Sequence, residues 1–250
     1  MKRAAGFLAA LVLVWGLAAP CWGVELTLTS HAALLMEKTT GQILYAQNEH
    51  DALPPASVTK IMTVLLTMEA IDSGRIALDD MVTVSAYAAG MGGSQVFLAE
   101  GEQMSVDDLL KAVCVSSGND AAVALAEHVA GVTELFVEQM NNRARELGMK
   151  DTHFVNCTGL TAEGHVTSAY DIALMSRELL LHHPEVRNYT TIWMDTLRSG
   201  TFGLSNTNKL IRFYDGATGL KTGFTQEAGY CISATAERDG MELIAVIMKG

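Results

Sequence analysis

Hydrophobic residues recur along the chain with two different periods, and each period predicts a different kind of element. After Ser57, the residues Ile61, Val64, Leu65 and Met68 recur at intervals of three and four positions. This spacing places them on one face of an α-helix, so a buried helix is predicted to begin near Ser57. Two prolines precede it at 54–55, where they do not interrupt a helix but can lead into one. The Ser-Gly pair at 73–74 is predicted to end the helix.

Polar residues with helix-capping chemistry precede further apolar stretches. Ser105 and Ser168 each stand three residues before an aspartate, which is the spacing of a capping box with Asp in place of Glu. Asn119 or Asp120 is predicted to cap the apolar run 121–129, and Thr133 the next helix. The helices predicted from these signals run from 105–108 to 116–118, from 119–121 to near 129, from 133–134 to 147–148 and from 168–171 to 182.

Short apolar runs bounded by turn residues predict strands at both ends of the chain. Irregular connections are predicted at 85–99, which is rich in glycine, and at 149–165. Because strands flank a helical block, we expect one antiparallel sheet that unites the two ends, with helices on its faces, in the α/β (α+β) class. The predicted strands are 32–38, 42–47, 219–224, 230–237 and 242–248, with turns at 39–41, 226–229 and 238–240.

The first 23 residues have the composition of a secretory signal peptide. Lys2 and Arg3 precede an apolar run at 4–19, and Gly23 supplies a small residue for cleavage. We predict a signal peptide at 1–23, a catalytic domain at 24–250 and export from the cytoplasm to the cell envelope or beyond. A permanent anchor is the alternative, because the run is borderline in length for a membrane span. Lipidation of Cys21 is disfavoured by Pro20.

The charge and the cysteines exclude several classes of function. The net charge is −11 and becomes more negative once Lys2 and Arg3 are removed, so nucleic acid and anionic lipid are not expected partners. The three remaining cysteines form no Cys-x-x-Cys pair and stand among apolar residues, which predicts buried, unreactive thiols. No histidine stands in a metal-binding motif, and the pair at 182–183 is predicted to end a helix at the surface. We therefore expect no metal and no cofactor.

Ser57 and Lys60 are three residues apart and so share one face of the predicted helix start. A serine hydroxyl is a poor nucleophile until a base takes its proton, and a lysine with a lowered pKa can be that base. The structural alternative is that Ser57 is an ordinary helix cap and Lys60 a solvated side chain. A Ser-x-x-Lys string alone does not decide between the two, because it arises by chance in a chain of this length.

Two later motifs lie where polar side chains can project into a cleft. Ser117 and Asn119 flank a glycine in the break between two apolar helices, although a helix stop and cap would have the same residues. Lys221 and Thr222 end a strand, and Gly223 permits another backbone to approach closely. A lysine and a hydroxyl in this position suit a substrate carboxylate, whereas the alternative is a surface lysine before a turn.

Together the three motifs, in this order, resemble the signature of the penicilloyl-serine transferases. The longer strings 56–63, 117–121, 148–154 and 215–230 resemble the low-molecular-mass penicillin-binding proteins, which are serine D-Ala-D-Ala carboxypeptidases of the peptidase S11 type. The likeness covers 25–250 and is strongest to the sporulation-associated, Gram-positive type. It implies a β-lactamase/transpeptidase-like fold, in which a five-stranded antiparallel sheet is packed between helices.

The resemblance also implies a role for each motif residue. Ser57 would attack the penultimate carbonyl of a peptidoglycan stem peptide ending in D-Ala-D-Ala, after Lys60 accepts its proton. Ser117 would relay a proton toward the leaving D-alanine. The remaining motif residues would bind the substrate. These are the Asn119 amide, Lys221 and Thr222, which would receive the terminal carboxylate, and the Gly223–Phe224 backbone. The N–H groups of Ser57 and Phe224 would receive the oxyanion.

Two alternatives and one departure accompany this resemblance. A β-lactamase of the same superfamily needs a Glu-x-x-Leu-Asn string, and none lies between Asn119 and Lys221. A non-catalytic penicillin-binding sensor or assembly protein would keep the motifs but would not turn over; β-lactams are expected covalent inhibitors in each case. Family members continue with a further helix, a β-rich domain and often an amphipathic tail. These segments are absent from the sequence, so membrane association is expected only through an uncleaved N-terminus or such a missing tail.

Overall fold

The computed structural model describes residue 26 and residues 28–250. The predicted signal peptide at 1–23 and the cleavage after Gly23 lie outside the described residues. Within the described part of the chain, no helix combines the length and apolarity that crossing a membrane requires.

Strands and helices in the described residues follow the predicted order, with helices between two groups of strands. The α-helices are α1 Lys60–Asp72, α2 Ala86–Ala89, α3 Val106–Ser116, α4 Asn119–Ala130, α5 Thr133–Glu146, α6 Ala169–His182, α7 Arg187–Thr190 and α8 Leu210–Phe213. The strands are β1 Ala32–Glu37, β2 Ile43–Gln47, β3 Met81–Thr83, β4 Gln103–Ser105, β5 Met194–Leu197, β6 Phe202–Ser205, β7 Ala217–Thr225, β8 Gly229–Arg238 and β9 Met241–Met248. Short 3₁₀ turns lie at Ala56–Thr59, Pro184–Val186 and Arg198–Gly200.

The main sheet has five antiparallel strands in the order β2-β1-β9-β8-β7. Strand β1 pairs with β9 along its whole length, from Ala32 opposite Met248 to Glu37 opposite Leu243. This pairing confirms the prediction that one sheet unites the two ends of the chain. Side chains alternate between faces along a strand, and β9 buries every second residue against the helices. Strand β7 is an edge strand, so one side of its backbone is free of sheet partners.

Helix α1 runs through the centre of the helical block. Its residues from Lys60 to Met68 are all buried, and it packs against α3, α4, α5 and α6. A helix that is surrounded on every side has no face toward solvent, so its polar side chains need hydrogen-bond partners inside the protein. The Thr63 hydroxyl donates to the Cys157 carbonyl at 2.7 Å, and the Thr67 hydroxyl donates to the Thr63 carbonyl at 2.8 Å. Helix α1 is thereby fixed to the loop that follows α5.

The two serine caps are confirmed, and the other two cap predictions are wrong. Ser105 and Ser168 accept the backbone N–H three residues later, at 3.1 and 3.2 Å. Helix α4 instead begins at Asn119 after Gly118, with no side-chain cap. The Asp120 carboxylate accepts the N–H groups of Val96 and Leu98, because tertiary contacts compete for a side chain that could cap locally. Likewise, Val132 rather than Thr133 precedes α5 as its cap residue, without a side-chain hydrogen bond.

Short elements were missed where the hydrophobic pattern is too brief to register. The predicted irregular segment 85–99 contains α2, which is capped by Ser85 at 3.0 Å. The two-stranded pairs β3–β4 and β5–β6 were also not predicted, since strands of three or four residues carry almost no periodicity. The surface location predicted for the histidine pair is wrong for His183, which is buried with its Nδ1 2.6 Å from Asp72 Oδ2. His182 is exposed, as predicted.

Candidate active site

A cleft of about 510 Å³ opens between the 3₁₀ turn before α1, the α3–α4 break and strand β7. All three sequence motifs contribute to its walls, although they lie far apart in the chain. Its lining includes Ser57, Ser94, Ser117, Thr207, Thr222, Gly223, Phe224 and Tyr230. No aspartate or glutamate is among the described residues that line it.

Ser57 lies in the 3₁₀ turn Ala56–Thr59, and α1 begins three residues later at Lys60. The predicted helix start is therefore a tighter turn than the sequence pattern indicates. Ala56 has φ of +48°, which is left-handed backbone that an alanine adopts only under constraint. Gly159 supplies part of that constraint, because a Cβ at this position would lie 1.8 Å from the Ala56 carbonyl oxygen. Only glycine allows the loop to press against the turn that carries Ser57.

Lys60 is fully buried and places its amine against the nucleophile. Its Nζ lies 3.0 Å from Ser57 Oγ, 2.6 Å from Asn119 Oδ1 and 2.7 Å from the Thr158 carbonyl oxygen. A neutral amine has two N–H groups and one lone pair. If the two carbonyl oxygens of Asn119 and Thr158 accept the N–H groups, the lone pair faces the Ser57 hydroxyl. The same three contacts also satisfy an ammonium, so the site suits lysine before and after it accepts a proton.

The protein lowers the pKa of Lys60 well below its usual range. Burial is the largest cause, since it penalises the charged amine, and the positive charge of Lys221 adds to it. This agrees with the expectation that burial and a neighbouring cation make Lys60 available as a base. The alternative of a solvated Lys60 is excluded by its complete burial.

Ser117 occupies the break between α3 and α4 in left-handed backbone, with φ of +61°. This conformation ends α3 and turns the chain so that the side chain borders the cleft. Ser117 Oγ is buried and has no hydrogen-bond partner among the described residues. Buried hydroxyls are nearly always paired, so this one is available to a bound molecule.

Asn119 has both ends of its amide engaged within the protein. Oδ1 accepts from Lys60, and Nδ2 donates to the Gly92 carbonyl at 2.7 Å. The sequence motif therefore joins the α3–α4 break to the nucleophile through Lys60. Asn119 also connects the break to the glycine-rich segment that forms the adjacent wall of the cleft.

Strand β7 forms the opposite wall and approaches the nucleophile at Gly223. A Cβ at Gly223 would lie 2.7 Å from the Ser57 backbone nitrogen, so a larger residue would push the strand away. Thr222 points its hydroxyl toward Thr207, with 2.7 Å between the two oxygens. Phe224 is 55% exposed and packs its ring against Tyr230, with 4.7 Å between centroids. The strand thus lines the cleft with its backbone and with polar side chains.

Lys221 is buried beneath this wall and donates to the Thr222 carbonyl at 2.9 Å. Burial lowers its pKa to about 8, whereas the nearby Cys114 thiol acts in the opposite direction. A pKa of about 8 leaves most of the Lys221 population charged at neutral pH. Burial is thus the largest cause of a lowered pKa at both lysines, and at Lys60 the charge of Lys221 adds to it.

Two groups in the site left no signal in the sequence. The Thr158 carbonyl holds Lys60, but a backbone oxygen carries no residue-type signature, and 149–165 was predicted only as a loop. Thr207 lines the cleft between buried Asn206 and Asn208, in a segment for which no motif was assigned. Both belong to loops whose path depends on distant parts of the chain.

The cysteines lie close to the site but are not placed among its reactive groups, and one cluster of acidic and histidine side chains lies farther away. Cys114, Cys157 and Cys231 are free and buried, as predicted, and burial raises the pKa of the first two to about 12. One group of possible metal ligands occurs among the described residues: Asp72, His183 and Glu185. It lies at the C-terminal end of α1, about 20 Å along the helix from the nucleophile.

Comparisons with known proteins agree with the geometry of the cleft. D-alanyl-D-alanine carboxypeptidase DacF of Bacillus subtilis is 50% identical over 226 residues, which cover 89% of this chain and 58% of that protein. DacD of Escherichia coli is 45% identical over 86% of this chain and 57% of its own length. The chain thus spans a little over half the length of these curated relatives.

Solved structures of penicillin-binding proteins have the same fold as this chain. Penicillin-binding protein 6B from Escherichia coli matches with a TM-score of 0.86 and 42% identity over 92% of this chain and 74% of that one. Penicillin-binding protein D2 from Listeria monocytogenes, in its cefotaxime-bound form, matches at 0.83 and 35% identity, covering 91% and 92% of the two chains. The model of the family described as Peptidase S11, D-alanyl-D-alanine carboxypeptidase, matches residues 20–250. The chain with this cleft therefore belongs to the peptidase S11 family of D-alanyl-D-alanine carboxypeptidases.

Proposed function

We propose that the protein is a serine-type D-Ala-D-Ala carboxypeptidase that removes the terminal D-alanine from peptidoglycan stem peptides through an acyl-enzyme on Ser57. The observation that carries this proposal is the contact between a fully buried Lys60 amine and Ser57 Oγ at 3.0 Å. Family membership and the names of the relatives agree with it.

Acylation begins with proton transfer from Ser57 to Lys60. The lowered pKa of Lys60 favours its neutral, proton-accepting form, and Asn119 and the Thr158 carbonyl orient its lone pair. Ser57 Oγ attacks the carbonyl of the penultimate residue, and the C–N bond to the terminal D-alanine breaks after a tetrahedral intermediate. The oxyanion is received by the N–H groups of Ser57 and Phe224, where β7 and the 3₁₀ turn meet at Gly223.

The rest of the cleft orients the substrate and its leaving group. The charged Lys221 and the Thr222 hydroxyl attract the terminal carboxylate at the edge of β7. Ser117 Oγ, which has no partner among the described residues, donates its proton to the leaving amine and takes up the proton that Lys60 accepted from Ser57. Water then hydrolyses the ester on Ser57 and regenerates its hydroxyl. Asn119 is buried with Oδ1 on Lys60 and Nδ2 on the Gly92 carbonyl, so it can receive the substrate amide only by exchanging or sharing one of these contacts.

A β-lactam enters the same cleft and acylates Ser57, but the acyl-enzyme is released slowly. Rapid hydrolysis needs a side-chain carboxylate that activates water, and no aspartate or glutamate is among the described residues that line the cleft. Asp120 lies behind the wall and is occupied by the N–H groups of Val96 and Leu98. These features favour a carboxypeptidase inhibited by β-lactams over a β-lactamase. Penicillin-binding protein D2 from Listeria monocytogenes is known in cefotaxime-bound and ampicillin-bound forms.

Peptidoglycan lies outside the cytoplasmic membrane, so this function requires export. The composition of residues 1–23 supports a cleaved signal peptide, with Val24 as the first residue of the mature protein. N-terminal sequencing of material recovered from the cell envelope tests this: a start at Val24 is expected, whereas an intact Met1 or a lipid on Cys21 contradicts it.

The function is tested by measuring D-alanine release and β-lactam turnover on one preparation. We expect release of D-alanine from a synthetic peptide ending in D-Ala-D-Ala, covalent labelling by fluorescent penicillin and little penicillin hydrolysis. Ser57→Ala should abolish labelling and release while keeping the wild-type melting temperature. Fast penicillin turnover would indicate a β-lactamase, and labelling without D-alanine release would indicate a sensor. An adduct mapped by mass spectrometry to Ser94 or Ser116 would exclude Ser57 as the nucleophile.

A further inference from the structure

A chain of buried hydrogen bonds joins His165, more than one hundred residues away in sequence, to the residue before the nucleophile. His165 Nε2 lies 2.8 Å from the Thr59 hydroxyl oxygen, and the Thr59 hydroxyl donates to the Ala56 carbonyl at 2.9 Å. Thr59 is fully buried and His165 is 3% exposed. None of the three sequence motifs contains His165, and the roles inferred for the motif residues do not include Thr59.

The donor and the acceptor of each hydrogen bond in this series follow from the other contacts of the same groups. The backbone N–H of Val155 donates to His165 Nδ1 at 2.9 Å, so this nitrogen carries no proton. Burial lowers the pKa of His165 to about 4, with a smaller contribution from His153, so the ring is neutral. A neutral ring with an unprotonated Nδ1 carries its proton on Nε2, which therefore donates to Thr59. Thr59 must then donate its own proton onward to Ala56.

The Ala56 carbonyl belongs to the same rigid peptide plane as the Ser57 N–H. A trans peptide is planar, so fixing the carbonyl oxygen fixes the direction of the N–H on the opposite side. The oxygen is held between the Thr59 hydroxyl and Gly159, whose absent Cβ would lie 1.8 Å away. The nitrogen faces Gly223 of β7, whose absent Cβ would lie 2.7 Å from it. The plane is therefore restrained on both edges while Ala56 stays in left-handed backbone.

We propose that Thr59 and His165 are positioning residues for acylation, which hold the Ala56–Ser57 peptide so that the Ser57 N–H points at the developing oxyanion. This inference rests on the proposed function, because it concerns the oxyanion of that reaction. Removing the Thr59 hydroxyl frees the carbonyl oxygen on one side and lets the plane rotate. Since oxyanion donors act through their alignment, the loss should appear in the acylation rate.

A matched pair at Thr59 separates the hydroxyl from the shape of the side chain. Thr59→Val keeps the branched shape and removes the hydroxyl, whereas Thr59→Ser keeps the hydroxyl and removes a methyl group. We expect the acylation rate constant for fluorescent penicillin, per folded molecule, to fall roughly 10- to 100-fold in Thr59→Val, below the 10²–10³ of a deleted donor. Thr59→Ser should stay within about threefold of wild type, because its hydroxyl can still bond Ala56.

The pH profile distinguishes positioning from general damage to the site. In Thr59→Val the acylation rate should fall at every pH. The pH at which the rate is half-maximal should stay unchanged, because the substitution removes no contact of Lys60. A wild-type rate in Thr59→Val, an equal loss in Thr59→Ser or a shifted half-maximal pH would each overturn the proposal.

A second pair carries the test if Thr59→Val does not fold. His165→Gln retains a side-chain amide that can donate to Thr59, and His165→Leu retains no donor. The proposal requires faster acylation in the Gln variant than in the Leu variant, and equal rates would refute it. Failure of the proposed function is distinguishable, because it appears as absent labelling or absent D-alanine release in the wild-type protein itself.

Discussion

The two sides of the cleft hold their reactive groups in different ways. The nucleophile wall comprises residues 56–60 and the loop at 157–159, and it is buried except at Ser57. Within it, the Lys60 amine and the Thr59 hydroxyl each form at least two hydrogen bonds inside the protein. The strand wall, residues 222–224 of β7, lies at a sheet edge and exposes Phe224, with Lys221 buried beneath it. Its Thr222 hydroxyl pairs with Thr207, whose side chain is itself exposed.

This difference separates chemistry from recognition. A base and a nucleophile must already be aligned when substrate arrives, because reorganisation during the reaction would raise the barrier. The nucleophile wall meets this requirement through contacts made during folding. A carboxylate-binding wall must instead exchange water or an internal partner for the substrate, so it needs an accessible edge.

Replacing Lys60 should have the largest effect. Arginine keeps its charge at ordinary pH and cannot accept the Ser57 proton, so Lys60→Arg should lower penicillin acylation by about a thousandfold or more. Labelling with fluorescent penicillin over hours measures this loss, and circular dichroism checks that the variant is folded. Acylation within about tenfold of wild type would show that Lys60 is not the base.

The fit of the nucleophile wall can be broken without changing any reactive group. In Gly159→Ala the new Cβ would meet the Ala56 carbonyl at 1.8 Å, and backbone cannot move away easily. Gly148→Ala is the control, because its φ of +76° is close to the +83° of Gly159 but nothing lies within 4 Å. Both variants carry the left-handed penalty of about 1–2 kcal/mol.

Only Gly159→Ala should also lose acylation, by about a hundredfold or more, since the clash displaces the turn carrying Ser57. Thermal unfolding and labelling of the two variants side by side provide the measurement. Equal acylation in both would mean that Gly159 serves the backbone conformation alone.

On the strand wall, Lys221→Arg should have a smaller effect. Arginine preserves the positive charge that attracts the carboxylate but not the position of the amine, so acylation should fall roughly 10- to 100-fold, with peptide hydrolysis falling further. Parallel measurements of penicillin labelling and D-alanine release give the two losses. A complete loss of acylation equal to that of Lys60→Arg would contradict the division of roles between the lysines.

The same variant should change the alkaline side of the pH profile. In the wild-type protein, acylation should rise as Lys60 loses its proton and then fall above pH 8, because Lys221, with its pKa of about 8, becomes neutral there. Arginine stays charged, so Lys221→Arg should keep the rise and lose the fall. Rates measured between pH 6 and pH 10 test this, and an unchanged fall would assign it to another group.

The smallest effect is expected at Phe224. Its ring is exposed and touches Tyr230, whereas the proposed contribution to the oxyanion comes from the backbone N–H. Phe224→Ala should therefore change acylation by less than about threefold and lower stability by about 0.5–1.5 kcal/mol through the lost ring contact. Acylation kinetics and thermal unfolding measure both effects. A tenfold loss of acylation would show that the side chain itself contributes.

The elements that local signals specify were predicted well, and the reason is that those signals act within one turn or one strand. The serine caps at 105 and 168 act over three residues, and the strands of the main sheet follow from alternation within single runs. The Asn119 and Asp120 caps failed because each side chain has a stronger partner elsewhere in the fold. A capping signal does not reveal such competition.

The three motifs, their order and the chemistry of their residue types are read directly from the sequence, which also predicts that the chain ends share one sheet. The environment that lowers the pKa of Lys60 and orients its amine comes from the fold, because its burial, the Thr158 carbonyl and the charge of Lys221 come from distant segments. Only the tertiary structure placed Ala56 in left-handed backbone between Gly159 and Thr59. The physical reason is that motifs record side-chain types, whereas backbone oxygens, burial and close approach arise from packing between segments far apart in the chain.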